Sequence, residues 1–463
     1  MNDRLAKFYT SLKGKRILML GIGKSNSPLV RMCISKGAEV TVCDRRTRGE
    51  VGSPADELEA AGARLRLGPD YLSDLDADII FRTPGIRYTL PELTEARRRG
   101  VAVTSEMEVF FDLCPCRKIA VTGSDGKTTT TTLISEMLRR QGYRVHLGGN
   151  IGRPLLPEIE SIRPEDVAVV ELSSFQLISM RSSPETAVVT NVSPNHLDVH
   201  KDMAEYIGAK KNILLHQNAF GRTVLNLDNA ITASMVDDVR GALYLFSRKQ
   251  PVEYGCFTDA DGVVRMRDGA EHEIMRADEI FIPGTHNLEN YMAAICAVWR
   301  LVPPEIIREV ARSFTGVEHR IEFIRELDGV KYYNDSIATT PTRTIAGLNS
   351  FDHKVILIAG GYDKHIPFDV LGPKAVEKVK CLILMGVTAD KIEQAVTSAP
   401  GYSAQEMPIV RVGSLEEAVQ TARTRARRGD IVTLSPACAS FDMFPNFETR
   451  GNIFKKLVTE LKA

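Results

Sequence analysis

The residues best suited to chemistry lie in Thr122 to Thr132, TGSDGKTTTTT, between a short apolar run and a segment of helical period. Holding phosphate needs close backbone approach, N–H donors at a helix start and a local cation. Gly123 and Gly126 allow the approach, and Ser124, Asp125 and Thr129 complete the candidate ATP loop. Lys127 is placed for the β and γ oxygens and Thr128 for Mg²⁺. The full loop pattern would carry a glycine where Val121 stands, so a tight turn with a chance lysine is the structural alternative. The strand-then-helix setting favours nucleotide binding. Successive threonines are poor helix-interior residues and fit better at a functional helix start. Glu171, in VVELSSFQL, follows an apolar run at the end where open α/β sheets bind ligands. A carboxylate there can hold Mg²⁺; a solvated strand end is the alternative. NVSPNHLDVH offers Asn195, His196 and Asp198. Its spacing hints at zinc, but no third strong ligand lies near, a nucleotide site favours a hard cation, and a lone histidine is more often structural.

These residues need strands and helices to place them. Short apolar runs alternate with helical segments along all 463 residues, which predicts an α/β chain with mostly parallel sheets. Three sets separate: RILMLGIG, EVTVCD, ARLRL, ADIIF and VAVTSE; then KIAVTG, DVAVVELS, TAVVTNVS and RTVLNLD; then VKYYND, KVILIAGG, KCLILMG and DIVTLSP. The predicted domains are 1–115, 116–316 and 317–463, with a linker near Cys114-Pro115-Cys116 and a hinge near Gly316. The alternating stretch from Pro251 to Ile282 suits a hairpin excursion at one sheet edge. Gly21-Ile22-Gly23 after the first strand, with Asp44 ending the second, could be a dinucleotide fingerprint, but Asn26 occupies the third glycine position and weakens an NAD reading. The 59 Lys+Arg balance 59 Asp+Glu, so no bulk positive field favours nucleic acid or an anionic membrane. No apolar run approaches a membrane span of ~18 residues, and the 8 cysteines form no zinc pattern. A cytoplasmic monomer is expected.

The ordered set TGSDGKTTT, GGNIG, ELSSFQL, NVSPNHLD, the lysine in YIGAKK, GTHNLENYMAA, His319-Arg320, NDS at 334–336, GGYDK and SPACASFDMFPNFETRG resembles the Mur ligase family over essentially the whole chain. The resemblance implies a Rossmann-like first domain for a UDP substrate, a central ATPase-like domain and a Rossmann-like, mobile amino-acid domain. It implies ATP and Mg²⁺, with UDP-N-acetylmuramoyl-L-alanine and glutamate as small-molecule partners. The implied chemistry is phosphorylation of a carboxylate, then amine attack on the acyl phosphate. Lys127, His196, Lys210 and Lys364 are the implied catalytic residues, and Thr128, Glu171, His196 and a carbamylated Lys210 the implied metal ligands. Asn287, Asn290, Arg320 and Asp335 are further implied ATP contacts; Ser25, Asn26, Asp44, Arg45, Gly85, Asn150 and Ser173 face the UDP substrate. Thr339, Ser440 and Phe447 are implied for the amino acid. Without the resemblance, an exposed helix lysine is the better reading of Lys210.

One position departs from the family pattern. Members using D-glutamate commonly read NDSKATN, whose lysine pairs with the glutamate side chain, whereas this chain reads NDSIATTP with Ile337 there. Either Thr339, Thr340, Ser440 and main-chain N–H groups near Phe447 hold the carboxylate, or another amino acid is used, L-glutamate first among them. D-glutamate is the expected substrate. An NAD-dependent dehydrogenase, a non-catalytic nucleotide-binding protein and a folylpolyglutamate synthase are the rival readings; the first leaves GSDGKT unexplained, and SPACAS with NFETRG argues against the last.

Overall fold

The computed structural model describes residues 3–23, 26–197 and 199–462. Ser25 and Asp198 lie outside them. Strands β1 (Arg16–Leu20), β2 (Glu39–Asp44), β3 (Arg64–Leu67), β4 (Ile79–Arg82) and β5 (Ala102–Thr104) form a parallel sheet in the order β3-β2-β1-β4-β5. The order reverses beside β1, and a crevice at such a switch point is where a doubly wound sheet takes its ligand.

The second sheet comprises β6 (Arg117–Thr122), β7 (Val145–Gly149), β8 (Val167–Glu171), β9 (Thr186–Val189), β10 (Arg222–Asn226), β11 (Ala242–Ser247), β12 (Gly255–Thr258), β13 (Val263–Arg267) and β14 (Glu271–Arg276). Its order is β14-β13-β12-β11-β10-β9-β6-β8-β7. Only the β12-β13 and β13-β14 pairs are antiparallel, so the expected hairpin excursion is there, at the edge. All residues of β8 and β9 are buried, as apolar strands covered on both faces must be. The central β6 therefore ends between the carboxyl ends of β8 and β9, and the Thr122 to Thr132 motif begins at that point.

A third sheet, β15 (Glu322–Leu327), β16 (Val330–Asn334), β17 (Val355–Ala359), β18 (Val379–Leu384), β19 (Ile409–Arg411) and β20 (Ile431–Leu434), has the order β15-β16-β20-β17-β18-β19. It is parallel except for the β15-β16 pair. Apolar clusters cover its two faces, one around Phe454 and Ile383, the other around Leu357 and Leu384. The chain forms two compact units: Met1–Glu279 with Glu289–Val310, and Ile280–Leu288 with Ala311–Ala463. The first two sheets share the first unit, where one apolar core runs from Leu12 and Met19 to Ala120 and Val170.

Candidate functional site

In the first unit, β6 runs into Gly123 at φ 153° and Gly126 at φ 77°, backbone conformations that side chains rarely adopt. Packing makes the same demand: a Cβ on Gly123 would sit 1.9 Å from Thr190 Oγ1, and one on Gly126 2.3 Å from Asn290 Oδ1. Asn191 accepts from the Ser124 amide through its carbonyl at 2.8 Å and from the Asp125 amide through Oδ1 at 2.9 Å. Thr190 Oγ1 donates to the Asp125 carbonyl at 2.6 Å, and the Ser124 and Tyr206 hydroxyls lie 3.0 Å apart. The loop is thus fixed before any ligand arrives. Helix Lys127–Arg140 starts on Gly126, so Lys127, Thr128 and Thr129 occupy its first turn.

Two lysines converge on one carbonyl. Lys127 Nζ donates to the Gly123 and Ser124 carbonyls, each at 2.9 Å, and Lys210 Nζ donates to Gly123 at 2.6 Å. Lys210, on helix Met203–Leu215, is only 2% exposed and lies 4.6 Å from the centre of the Tyr206 ring. The bland alternative, an exposed lysine, is therefore excluded. Burial first, and then the like charge of Lys127, push its pKa down to about 6, with Asp125 and Glu171 opposing. Its amine is neutral and nucleophilic above that pH.

Glu171 at the end of β8 is 1% exposed, so it is no solvated strand end either. Its Oε1 accepts from Asn150 Nδ2 at 2.8 Å, while its buried Oε2 has no hydrogen-bond partner. An orphaned carboxylate oxygen is costly unless a cation or a donor meets it. Among the described residues no three His, Cys, Asp or Glu side chains converge as a ready metal cage. A hard cation held by one or two carboxylates, phosphate oxygens and water suits this donor set, as Mg²⁺ does. His196 is exposed, at φ 55°, with its ring 5.1 Å from Phe175. Phe175 in turn stacks on His200 at 5.2 Å. Ser173 caps helix Ser174–Leu177, accepting from the Gln176 amide at 3.3 Å.

On the first sheet, Asp44 Oδ2 accepts from the Ile22 amide at 2.7 Å, and its two oxygens take Arg46 Nε at 3.0 Å and an Arg46 Nη at 2.9 Å. Burial alone would raise the carboxyl, but Arg46 and the two amides outweigh it and bring the pKa to about 2. The paired arginine is Arg46; Arg45 is exposed. Asn26, 1% exposed, donates to the Leu20 and Gly21 carbonyls at 3.2 and 3.1 Å and so closes the turn after β1. Gly85 lines a cavity of about 150 Å³ with Arg82, Tyr88, Phe175, His200 and Glu205.

In the second unit, Asn287 donates to the Pro283 carbonyl at 2.6 Å. Asp335 accepts from Ser435 Oγ at 2.7 Å; burial pushes its carboxyl up to about 7, opposed by that bond and by Arg320. Arg320 Nε is buried without a partner. Arg450 is 1% exposed and donates to Ser336 Oγ, the Ser336 carbonyl, and the Cys438 and Ala439 carbonyls, tying the loop after β16 to the loop after β20. Tyr362, in the loop after β17, donates its amide to Ala439 at 3.0 Å. Lys364 Nζ reaches Thr339 Oγ1 at 3.2 Å, and Ser440, 2% exposed, has an unpartnered Oγ. The Phe447 carbonyl accepts from Ser336 Oγ at 2.8 Å, and its ring meets His319 edge-on at 5.9 Å.

Family models match three consecutive stretches: Mur ligase MurD-like, N-terminal domain over 15–105; Mur ligase middle domain over 121–298; and Mur ligase, glutamate ligase domain over 319–438. The UDP-N-acetylmuramoylalanine--D-glutamate ligase of Acetivibrio thermocellus is 54% identical, with all of both chains covered. The chain belongs to the Mur ligase family. The same-named protein of Ruminiclostridium cellulolyticum is 50% identical, again over all of both chains. The UDP-N-acetylmuramate-alanine ligase structure from Thermotoga maritima covers 97% of this chain and 100% of its own at 18% identity, with a TM-score of 0.58, and supports the three-domain α/β fold.

Within this Mur ligase, the structure gathers Gly123 to Thr129, Asn150, Glu171, Lys210 and Asn290 around the loop. Asn287, Arg320, Asp335, Thr339, Lys364, Ser440 and Phe447 all belong to the second unit. Sequence reasoning passed over Tyr206, Thr190, Arg46, Arg450 and Arg343. Tyr206 had a usable signal, since it precedes Lys210 by one helical turn.

Proposed function

We infer that this chain is an ATP-dependent amide ligase that joins D-glutamate to UDP-N-acetylmuramoyl-L-alanine in the synthesis of peptidoglycan precursors. The observation carrying the reading is the prebuilt loop with Lys127, Lys210 and the orphaned oxygen of Glu171 around it; the full-length relatives at 50–54% identity support the substrates. In the reaction the substrate carboxylate attacks the γ-phosphorus and displaces ADP. The glutamate amine, having given up its ammonium proton, attacks the acyl phosphate carbon, and the tetrahedral intermediate loses an N–H proton and expels phosphate to leave the amide. Negative charge accumulates at each step, so fixed cations and donors supply the catalysis. Lys127 and the amides of the helix start hold the phosphates. Thr128 and Glu171 would hold one Mg²⁺ and His196 with carbamylated Lys210 a second, and the bound cations would supply neutralisation of charge on the phosphate oxygens. Carbamylation joins the neutral Lys210 amine to CO₂ with loss of a proton, replacing a buried would-be cation by an oxygen ligand.

Residues 1–115 serve the UDP substrate through Ser25, Asn26, Asp44, Arg45 and Gly85, with Asn150 and Ser173 from the next domain. Residues 116–316 hold ATP, and residues 317–463 receive the amino acid through Thr339, Lys364, Ser440 and Phe447. ATP and a nucleotide-linked sugar are cytoplasmic metabolites, so the reading assigns the chain there, acting as a monomer. Among the described residues no helix is long and apolar enough to cross a membrane. Ile337 keeps L-glutamate as the second reading. Phosphate release with ATP, UDP-N-acetylmuramoyl-L-alanine and each of D- and L-glutamate tests both: release with D-glutamate alone is expected, and release with only the L form would reverse the choice.

A further inference from the structure

At the carboxyl end of the third sheet, three basic side chains stand together around a single carboxylate, Asp335. Arg343, in the first turn of helix Pro341–Leu348, donates Nη1 to the Ile337 carbonyl at 3.4 Å. Lys364 reaches only Thr339, through its hydroxyl at 3.2 Å and its carbonyl at 3.3 Å. Arg320 keeps a buried Nε without a partner. None of the three is in a salt bridge among the described residues. The one acid among them is Asp335, which burial pushes up to about 7, a weak counter-ion. Burial and then the like charge of Arg320 depress Arg343, and burial and then Arg343 depress Lys364. Mutually repelling cations held in one place are costly, and an anionic ligand relieves the cost.

Ile337, whose carbonyl accepts from Arg343 and whose amide donates to the His319 carbonyl beside Arg320, can form no ion pair, yet glutamate brings a second carboxylate to the site. Arg343 is anchored on the main chain of Ile337 itself and remains accessible to solvent. Its planar fork suits a carboxylate with two oxygens better than a point charge does. The neighbouring loop supplies a neutral donor: Ser440 Oγ is buried and unpartnered, and Arg450 with the Tyr362 to Ala439 bond fixes that loop against those after β16 and β17. Resting on the proposed ligase activity, we propose that Arg343 is a specificity-determining residue that takes the side-chain carboxylate of the incoming glutamate, the charge Ile337 cannot meet.

The test compares Arg343→Gln and Arg343→Lys with the unsubstituted enzyme, using glutamate and its neutral amide glutamine of the same hand as acceptors. Circular dichroism and melting temperature establish that each variant is folded. Arg343→Gln should raise KM for glutamate at least ~10-fold, the effect of losing a charge-assisted hydrogen bond. The KM for ATP should stay within about twofold, and the preference for glutamate over glutamine should collapse by a factor like that in KM. Arg343→Lys should recover part of that preference. A folded Arg343→Gln enzyme with unchanged glutamate KM and unchanged preference overturns the assignment. A raised ATP KM with the preference intact overturns it too, and gives Arg343 to the phosphates. No turnover of glutamate by the unsubstituted enzyme would sink the ligase reading itself, and this inference with it.

Discussion

Lys210 shows how far burial can change what a residue type does. In water a lysine is a cation, but here burial and Lys127 leave the amine neutral above about pH 6. The unfolded chain keeps that proton to about pH 10, so in the amine form the fold gains stability as pH rises across the interval between these values. A buried neutral amine has its lone pair available to take up CO₂. Carbon-13 NMR after incubation with labelled bicarbonate should show a carbamate resonance that is missing from Lys210→Ala, and that variant should lose at least ~100-fold in turnover, the size expected for one lost stabiliser of transition-state charge. A small added carboxylate should restore part of it. Full activity of Lys210→Ala without bicarbonate would refute the role. The motif at Lys210 was legible in the sequence, but its burial was not, because KK on a helix reads equally well as a solvated pair. Likewise, Arg45 and Arg46 are equivalent on paper; the turn after β2 decides that Arg46 meets Asp44.

The loop from Gly123 to Thr129 depends on strands more than on its own residues. β6, β8 and β9 end side by side, and Thr190 and Asn191 just past β9 fix the loop by hydrogen bonds. Gly123→Ala should therefore distort it: φ near 153° and a Cβ 1.9 Å from Thr190 Oγ1 are both incompatible with a side chain. Forcing that conformation costs about 1–3 kcal/mol. A lower melting temperature and an ATP KM raised ~10-fold or more are expected; an unchanged melting temperature and KM would show that the loop does not need this geometry. Continuous apolar runs such as VAVV and VILIA announced their strands because both sheet faces are covered. β7 and β19 were missed, the first because VHLGG ends in two glycines, the second because it has only 3 residues. β11 and β15 were missed as well, and β15 carries charges at half its positions, EFIREL.

Across the whole chain, zero net charge leaves anion binding to local groups such as Lys127 and Lys210, which meet at the Gly123 carbonyl. Three α/β layers were readable from the alternation of strand and helix signals. Their grouping into two compact units was not, since the core joining the first two sheets depends on contacts distant in sequence. The single tryptophan, Trp299, belongs to the first unit. Its fluorescence should follow that unit alone during urea unfolding, whereas far-ultraviolet circular dichroism follows both, so the two transitions should not coincide. Superimposable curves with one midpoint would mean that the units unfold together.

The acyl phosphate itself can be followed by isotope. With both oxygens of the UDP-N-acetylmuramoyl-L-alanine carboxylate labelled with oxygen-18, ATP and D-glutamate present, phosphorylation leaves one labelled oxygen bridging carbon and phosphorus, and expulsion carries it away. Mass spectrometry of the released phosphate should find one oxygen-18 per molecule and an amide product retaining the other. Unlabelled phosphate, or release of pyrophosphate with label in AMP, would show that the carboxylate is not activated as an acyl phosphate and would overturn the mechanism.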